Sequence, residues 1–180
     1  MGKRYTHLNA ELRAFIAQQQ MFFVATAEAQ GRINLSPKGL DSLRLLDDTR
    51  VVWLNLTGSG NETAAHLRAN PRMTLMFCAF TGDPMILRLY GSARAIHAHD
   101  DQWQRHITLF EEIPGARQLI VMNIELVQTS CGFGVPQYKY LGQRQQLTDW
   151  AARKGEVGLR DYQRKNNVIS LDGRPTGLPE

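Results

Sequence analysis

The stretch Thr57-Gly58-Ser59-Gly60-Asn61-Glu62-Thr63 has the residue types and order of an anion-binding turn. Small residues let backbone N–H groups rotate toward a guest, and hydroxyl and amide side chains add further donors. It follows an apolar run, Val51-Val52-Trp53-Leu54-Asn55-Leu56, and opens a short helical pattern that Asn70-Pro71 closes. A helix start brings unpaired N–H groups and the positive end of the helix dipole. The combination is a cradle for a phosphate, and a phosphorylated cofactor is the ligand it suggests.

Strand alternation supplies side chains around the cradle. Over residues 33–38, Asn34, Ser36 and Lys38 share one face, opposite Ile33, Leu35 and Pro37. Over residues 52–57, Trp53, Asn55 and Thr57 share a face, opposite Val52, Leu54 and Leu56. Further on, Ile86, Arg88, Tyr90 and Ser92 oppose Leu87 and Leu89. Any one of these polar faces, taken alone, reads first as a solvated side of a sheet. Three of them beside the cradle point instead to a binding site. Lys38 or Arg88 supplies its charge, Gly60, Asn61 and Thr63 belong to its turn, and Trp53 shares the polar face of its strand.

The elements that position these residues follow from pattern. Asn9 can cap a helix with Leu8, Leu12, Phe15 and Ile16 on one stripe. Strands are expected at residues 21–27, 32–38, 50–56, 73–80, 85–97 and 118–128, with a polar connection over 39–49. Thr81-Gly82-Asp83-Pro84 marks a hairpin, and Asp100–Glu112 reads as a helix. Six strands with short helical interludes predict an α+β, mainly β domain: a closed or partly closed antiparallel barrel over residues 1–130. Residues 131–180 are a C-terminal extension, with helical patterns near 147–154 and 159–165, expected to pack on the barrel or on a partner subunit.

Composition narrows the class. In 180 residues, 43% hydrophobic and 21% charged, there is enough apolar material for one full core, which excludes a disordered chain. No apolar run reaches the ~20 residues a spanning helix needs. The Met-Gly-Lys-Arg start has no apolar segment of a secretory signal. The net charge of +4 is spread along the chain rather than gathered into a basic patch, so no nucleic-acid or membrane partner is expected. Two cysteines, Cys78 and Cys131, form no CxxC motif. A reduced, cytoplasmic, soluble protein is the expectation.

The order "FFVATA…GRINLSPKG", "VVWLNLTGSGNETAAHLRANPRMTLMF", "ILRLYGSARAI" resembles the pyridoxamine 5′-phosphate oxidase-like family of FMN-binding split β-barrels over about residues 10–130. The tail segments "SCGFGVP", "DWAARKG" and "YQRKNNVISLDGRP" are similar to an uncharacterised flavin-binding subgroup. The resemblance implies FMN at a homodimer interface. By position it puts Ser36 and Lys38 near the ring and ribityl chain, and Thr57, Asn61 and Thr63 near the phosphate. Arg88 would come from the partner subunit or line the open face of the ring. It also implies an FMN-dependent oxidoreductase acting on a small molecule, or alternatively a non-catalytic flavin- or haem-binding protein on the same fold. Two departures stand out. Glu62-Thr63 occupy the place of an Arg-Lys pair in the true oxidases, and their C-terminal substrate-binding stretch has no counterpart here.

Other constellations carry less. His97, His99 and His106 match no zinc spacing, so no metal is expected. Cys131 has no identifiable base, and its glycine-rich surroundings read as a bend approaching the cofactor or a partner. Tyr162, Lys165 and Asn166 precede Ser170-Leu171-Asp172-Gly173, which reads as a helix and capped turn on the surface, with closure over the pocket as the alternative.

Overall fold

Alternation of buried and outward side chains builds the sheet. In the computed structural model, which describes residues 2–179, the elements are β1 (Arg4–Tyr5), α1 (Ala10–Gln18), β2 (Phe22–Thr26), β3 (Asn34–Lys38), β4 (Leu43–Leu45) and β5 (Arg50–Leu56). They continue with α2 (Glu62–Ala69), β6 (Arg72–Cys78), β7 (Ile86–Ile96), α3 (Trp103–Ile107), β8 (Ala116–Ser130) and α4 (Gln146–Asn166). The strands form one antiparallel sheet in the order β3-β2-β6-β7-β8-β5-β4, with β1 paired to β8 off this path. The sheet curls into a split barrel, as expected.

The barrel interior holds Phe22, Val24, Trp53, Leu75, Phe77, Leu87, Leu89 and Met122, and Leu8, Leu12 and Ile16 of the α1 region pack into it. Asn9 caps α1 through a 2.9 Å bond from the Leu12 N–H. Val52, Leu54, Ile96, Leu119 and Val121 form a second cluster on the other side of the sheet, against Trp103, Ile107 and Phe110. The central strands β5 and β8 are therefore buried on both faces, whereas the edge strand β3 leaves Ile33 and Leu35 largely exposed.

Two expectations change. The path has seven strands rather than six, because Leu43–Leu45 pairs with Trp53–Val51 of β5 inside the stretch read as a connection. A three-residue strand is too short to show alternation, and its pairing partner alone fixes it. The helix expected over 100–112 shrinks to five residues, with Asp100 turned back to accept the His97 N–H at 2.7 Å. The two helical patterns of the tail are both present in α4, as two helical segments separated by a kink where Gly155 takes φ 63° and ψ 176°.

Two bulges bend the long strands. Asn55 pairs with Gln118 but Leu56 pairs with Ala116, which leaves Arg117 as the extra residue. Tyr90 pairs with Leu126 and Gly91 with Ile124, which leaves Glu125. At the second bulge the backbones approach so closely that a Cβ on Gly91 would lie 1.9 Å from the Asn123 carbonyl oxygen.

Candidate functional site

Six of the nine residues singled out in the sequence meet in one place. Ser36 and Lys38 of β3, Asn55 of β5, and Gly60, Asn61 and Thr63 at the start of α2 line a recess of about 230 Å³, together with Asn34, Gly58 and Ser59. The edge strand reaches the cradle through Asn34, whose amide donates to Thr63 Oγ1 at 3.1 Å and to Thr26 Oγ1 at 3.2 Å. Asn61 does not cap α2. Its amide oxygen accepts from Asn55 at 3.2 Å and its nitrogen donates to the Asn167 carbonyl at 3.4 Å. The first-turn donors of α2 are thus left without a side-chain cap, which suits an anionic guest.

The remaining three residues sit elsewhere. Trp53 is 1% exposed in the barrel core, edge-on to Phe22, because what looked like a polar face of β5 is the barrel interior. It meets the recess only through Lys38, whose Nζ lies 4.8 Å from its ring centroid. Thr57 is buried, with its hydroxyl donating to the Gly115 carbonyl at 2.8 Å, and supports the loop rather than lining the recess. Arg88 lies on β7 beside Cys78 and donates to Ser130 Oγ at 3.3 Å, outside the recess of its own chain.

The residue that sequence reasoning missed is Arg117. It lines the recess and is only 7% exposed. Its guanidinium donates to the Gly60 carbonyl at 3.1 Å, Asn167 Oδ1 at 2.7 Å and Asn55 Oδ1 at 3.3 Å. Its Nε is buried with no hydrogen-bond partner among the described residues. Simple alternation puts Arg117 on the side of Leu119 and Val121, away from Asn55, but as the extra residue of a bulge it is re-aimed onto the cradle. The only sequence signal was a charged residue at the head of an otherwise apolar strand.

The recess is electropositive. Burial, and then the Arg117 charge, lower the Lys38 ammonium to a pKa of about 8, and burial lowers the Arg117 guanidinium to about 10. Neither cation forms an ion pair with a carboxylate among the described residues. Glu62 is the one carboxylate along the wall, and both its oxygens accept the Leu171 N–H at 3.1 Å, so the tail engages it. Two poorly solvated cations and an orphaned guanidinium N–H are the arrangement that an oxyanion satisfies.

The tail closes one side of this site. Gln163 donates to Thr57 Oγ1 at 2.7 Å, and Asn167, fully buried, donates to the Gly58 carbonyl at 3.1 Å. Asp172 binds the backbone N–H and guanidinium of Arg32. The surface-turn reading of this segment is therefore replaced by a docked one. Residues 131–136 bend against the barrel, with Gly132 packed on Met85. Lys38 also lines a second, wider recess of about 700 Å³ between Met21, Pro37, Leu40, Tyr140 and Leu147. No group of three or more His, Cys, Asp or Glu residues suited to a metal occurs among the described residues.

Comparison with known proteins assigns this geometry to a family. The family model for pyridoxamine 5′-phosphate oxidase matches residues 8–131. The chain belongs to the pyridoxamine 5′-phosphate oxidase family. Within that family it is 36% identical over 191 residues to the pyridoxamine 5′-phosphate oxidase family protein ustO of Aspergillus flavus, covering 95% of this chain and 76% of that protein. Among solved structures it superposes on HupZ of Group A Streptococcus with a TM-score of 0.56 and 20% identity, over 68% of this chain and 98% of that one. A candidate pyridoxamine 5′-phosphate oxidase of Lactobacillus delbrueckii gives 0.53 and 20%, over 68% and 94%. These structural likenesses concern the fold. The family match ends at the bend after β8, so Gln163 and Asn167 lie beyond it, while the match to the Aspergillus protein runs over nearly the whole chain.

Proposed function

We propose that this protein is a flavoprotein that binds FMN in the β3–β5–α2 recess and works as an FMN-dependent oxidoreductase on a small molecule. The observation that carries the reading is the pairing of Lys38 and Arg117 in one recess with no countercharge ion-paired to either among the described residues. A dianionic phosphate supplies that countercharge, and membership of the pyridoxamine 5′-phosphate oxidase family supports a flavin as its bearer. At about 230 Å³ the recess is smaller than the roughly 300–1,000 Å³ of a whole-ligand pocket, so it suits the phosphate end. Lys38 also belongs to the wider recess, which suits the ring.

When bound, the flavin supplies the hydride- or electron-transferring chemistry. The chain's own part is to bind and orient it. Arg117, Asn61 and Thr63 would hold the phosphate, Ser36 and Asn34 would meet the polar arm, and Lys38 Nζ, with a pKa near 8, can hold or release a proton near that pH. Ile33 and Leu35, exposed on the outer face of β3 beside the site, support a homodimer that covers them. In that assembly Arg88 of the partner subunit would complete the flavin's surroundings. The two unpaired cysteines support a cytoplasmic location, and no helix among the described residues is long and apolar enough to cross a membrane. The test is the visible spectrum of the purified protein before and after incubation with FMN and removal of unbound ligand. Retained flavin bands at one per chain support the reading. Their absence after reconstitution sinks it.

A further inference from the structure

The tail reaches the cradle at its most highly charged point. Asn167 is 0% exposed, and its bonds join Arg117, Gly58 and Asn61 of the site to Gln163 and Thr176 of the tail. Its Oδ1 accepts the shortest of the Arg117 hydrogen bonds, at 2.7 Å. Its Nδ2 donates to the Gly58 carbonyl at 3.1 Å, and its own carbonyl accepts from Asn61 at 3.4 Å and from Thr176 Oγ1 at 2.6 Å. Buried guanidinium groups are ordinarily met by a carboxylate, which would cancel the charge. Here the partner is a neutral amide at the position a carboxylate would take. It fixes the direction of the guanidinium and leaves its charge uncancelled. Gln163 on Thr57, and Leu171 on Glu62, hold the segment in register, and the second contact keeps the nearby carboxylate engaged with the tail.

We propose that Asn167 is the specificity-determining residue of the cradle: a neutral clamp that aims Arg117 while leaving it positive, so that the site selects a phosphate monoester dianion over an uncharged group of similar size. The inference rests on the flavin reading for its probe, though not for its chemistry. It makes the C-terminal segment part of the ligand site and assigns discrimination to a residue beyond the family's matched region.

The experiment compares FMN with riboflavin, which lacks the phosphate, by fluorescence titration against the full-length wild type, Asn167→Asp and Asn167→Ser. Inorganic phosphate alone is tested by thermal shift. The aspartate is nearly isosteric and pairs with Arg117, so it lowers FMN affinity about tenfold to a hundredfold, the worth of one charge-assisted contact, and leaves riboflavin affinity within about threefold. The serine loses the contact that aims Arg117 but adds no charge, so the ratio of FMN to riboflavin affinity falls by about fivefold or less, short of the aspartate's loss. An Asn167→Asp protein with the wild-type ratio overturns the proposal, as does a serine variant that loses the preference equally. If Asn167→Asp does not fold, Arg117→Gln replaces it, and a retained preference for FMN there overturns the proposal. A wild type that binds neither flavin, but that inorganic phosphate stabilises in an Asn167→Asp-sensitive way, overturns the flavin reading and upholds the clamp. A wild type indifferent to all three ligands overturns both.

Discussion

Lys38 is the residue whose physics is easiest to measure. Its ammonium nitrogen lies 4.8 Å from the Trp53 ring centroid and, pressed by burial and by Arg117, has a pKa lowered from 10.5 to about 8. The sign of the linkage follows. Below about pH 8 the folded protein carries a proton that the fold disfavours, and stability from this group rises as pH climbs from 8 toward 10.5. Lys38→Met gives up the ammonium–Trp53 contact and removes the penalised charge, the larger of the two effects. Its ligand-free melting temperature is expected to exceed wild type by a few degrees at pH 7, and the gain should vanish near pH 10.5. A phosphate prefers the charged lysine, so FMN affinity should be highest between about pH 7 and 8, fall by up to about tenfold per unit above it, and fall again below about pH 6 as the phosphate dianion protonates. In Lys38→Met the alkaline fall should disappear, together with about tenfold or more of the affinity at pH 7. Much of this site was legible in the sequence, because Ser36, Lys38, Asn55, Asn61 and Thr63 follow from alternation and from the small-residue turn. Trp53 was misplaced because a face with polar members can still be a barrel interior. Arg117 was invisible because a bulge, which has no pattern of its own, reverses the side on which it projects.

At the scale of elements, the two bulges of β8 shape the site and the barrel. Gly91 sits where the chain crosses Asn123 too closely for any side chain. Gly91→Ala is expected to cost at least about 3 kcal/mol in urea unfolding, since the obstacle is backbone and cannot rotate away. The tail behaves differently. Neither core cluster contains a residue beyond Val127, so ending the chain at Arg160 should leave far-ultraviolet circular dichroism of the barrel intact. The same truncation removes Gln163 and Asn167 and should weaken FMN binding more than about tenfold. A truncated chain that binds FMN as well as wild type would show the docked tail to be irrelevant to the site. Strands and hairpins were readable from period-two patterning, and α1 from its asparagine cap. The tail was not, because its anchors are single polar residues whose partners lie more than a hundred positions away.

For the whole molecule, the split barrel holds two cations together against their mutual repulsion with no ion-paired carboxylate among the described residues, and an anionic ligand should therefore act as part of the fold. Saturating FMN at about a hundredfold its dissociation constant should stabilise the protein by about 2.7 kcal/mol, read as a rise in melting temperature that riboflavin fails to match. The family assignment accounts for the barrel, while the charge arrangement and the docked tail are what this chain adds to the description of its own site. The most direct test of the central claim is a crystal structure of the protein with FMN bound. The phosphate is expected within hydrogen-bonding reach of both Arg117 and the α2 first turn, with Lys38 beside it. Flavin bound with its phosphate in solvent, or in any recess other than that of β3, β5 and α2, would contradict it.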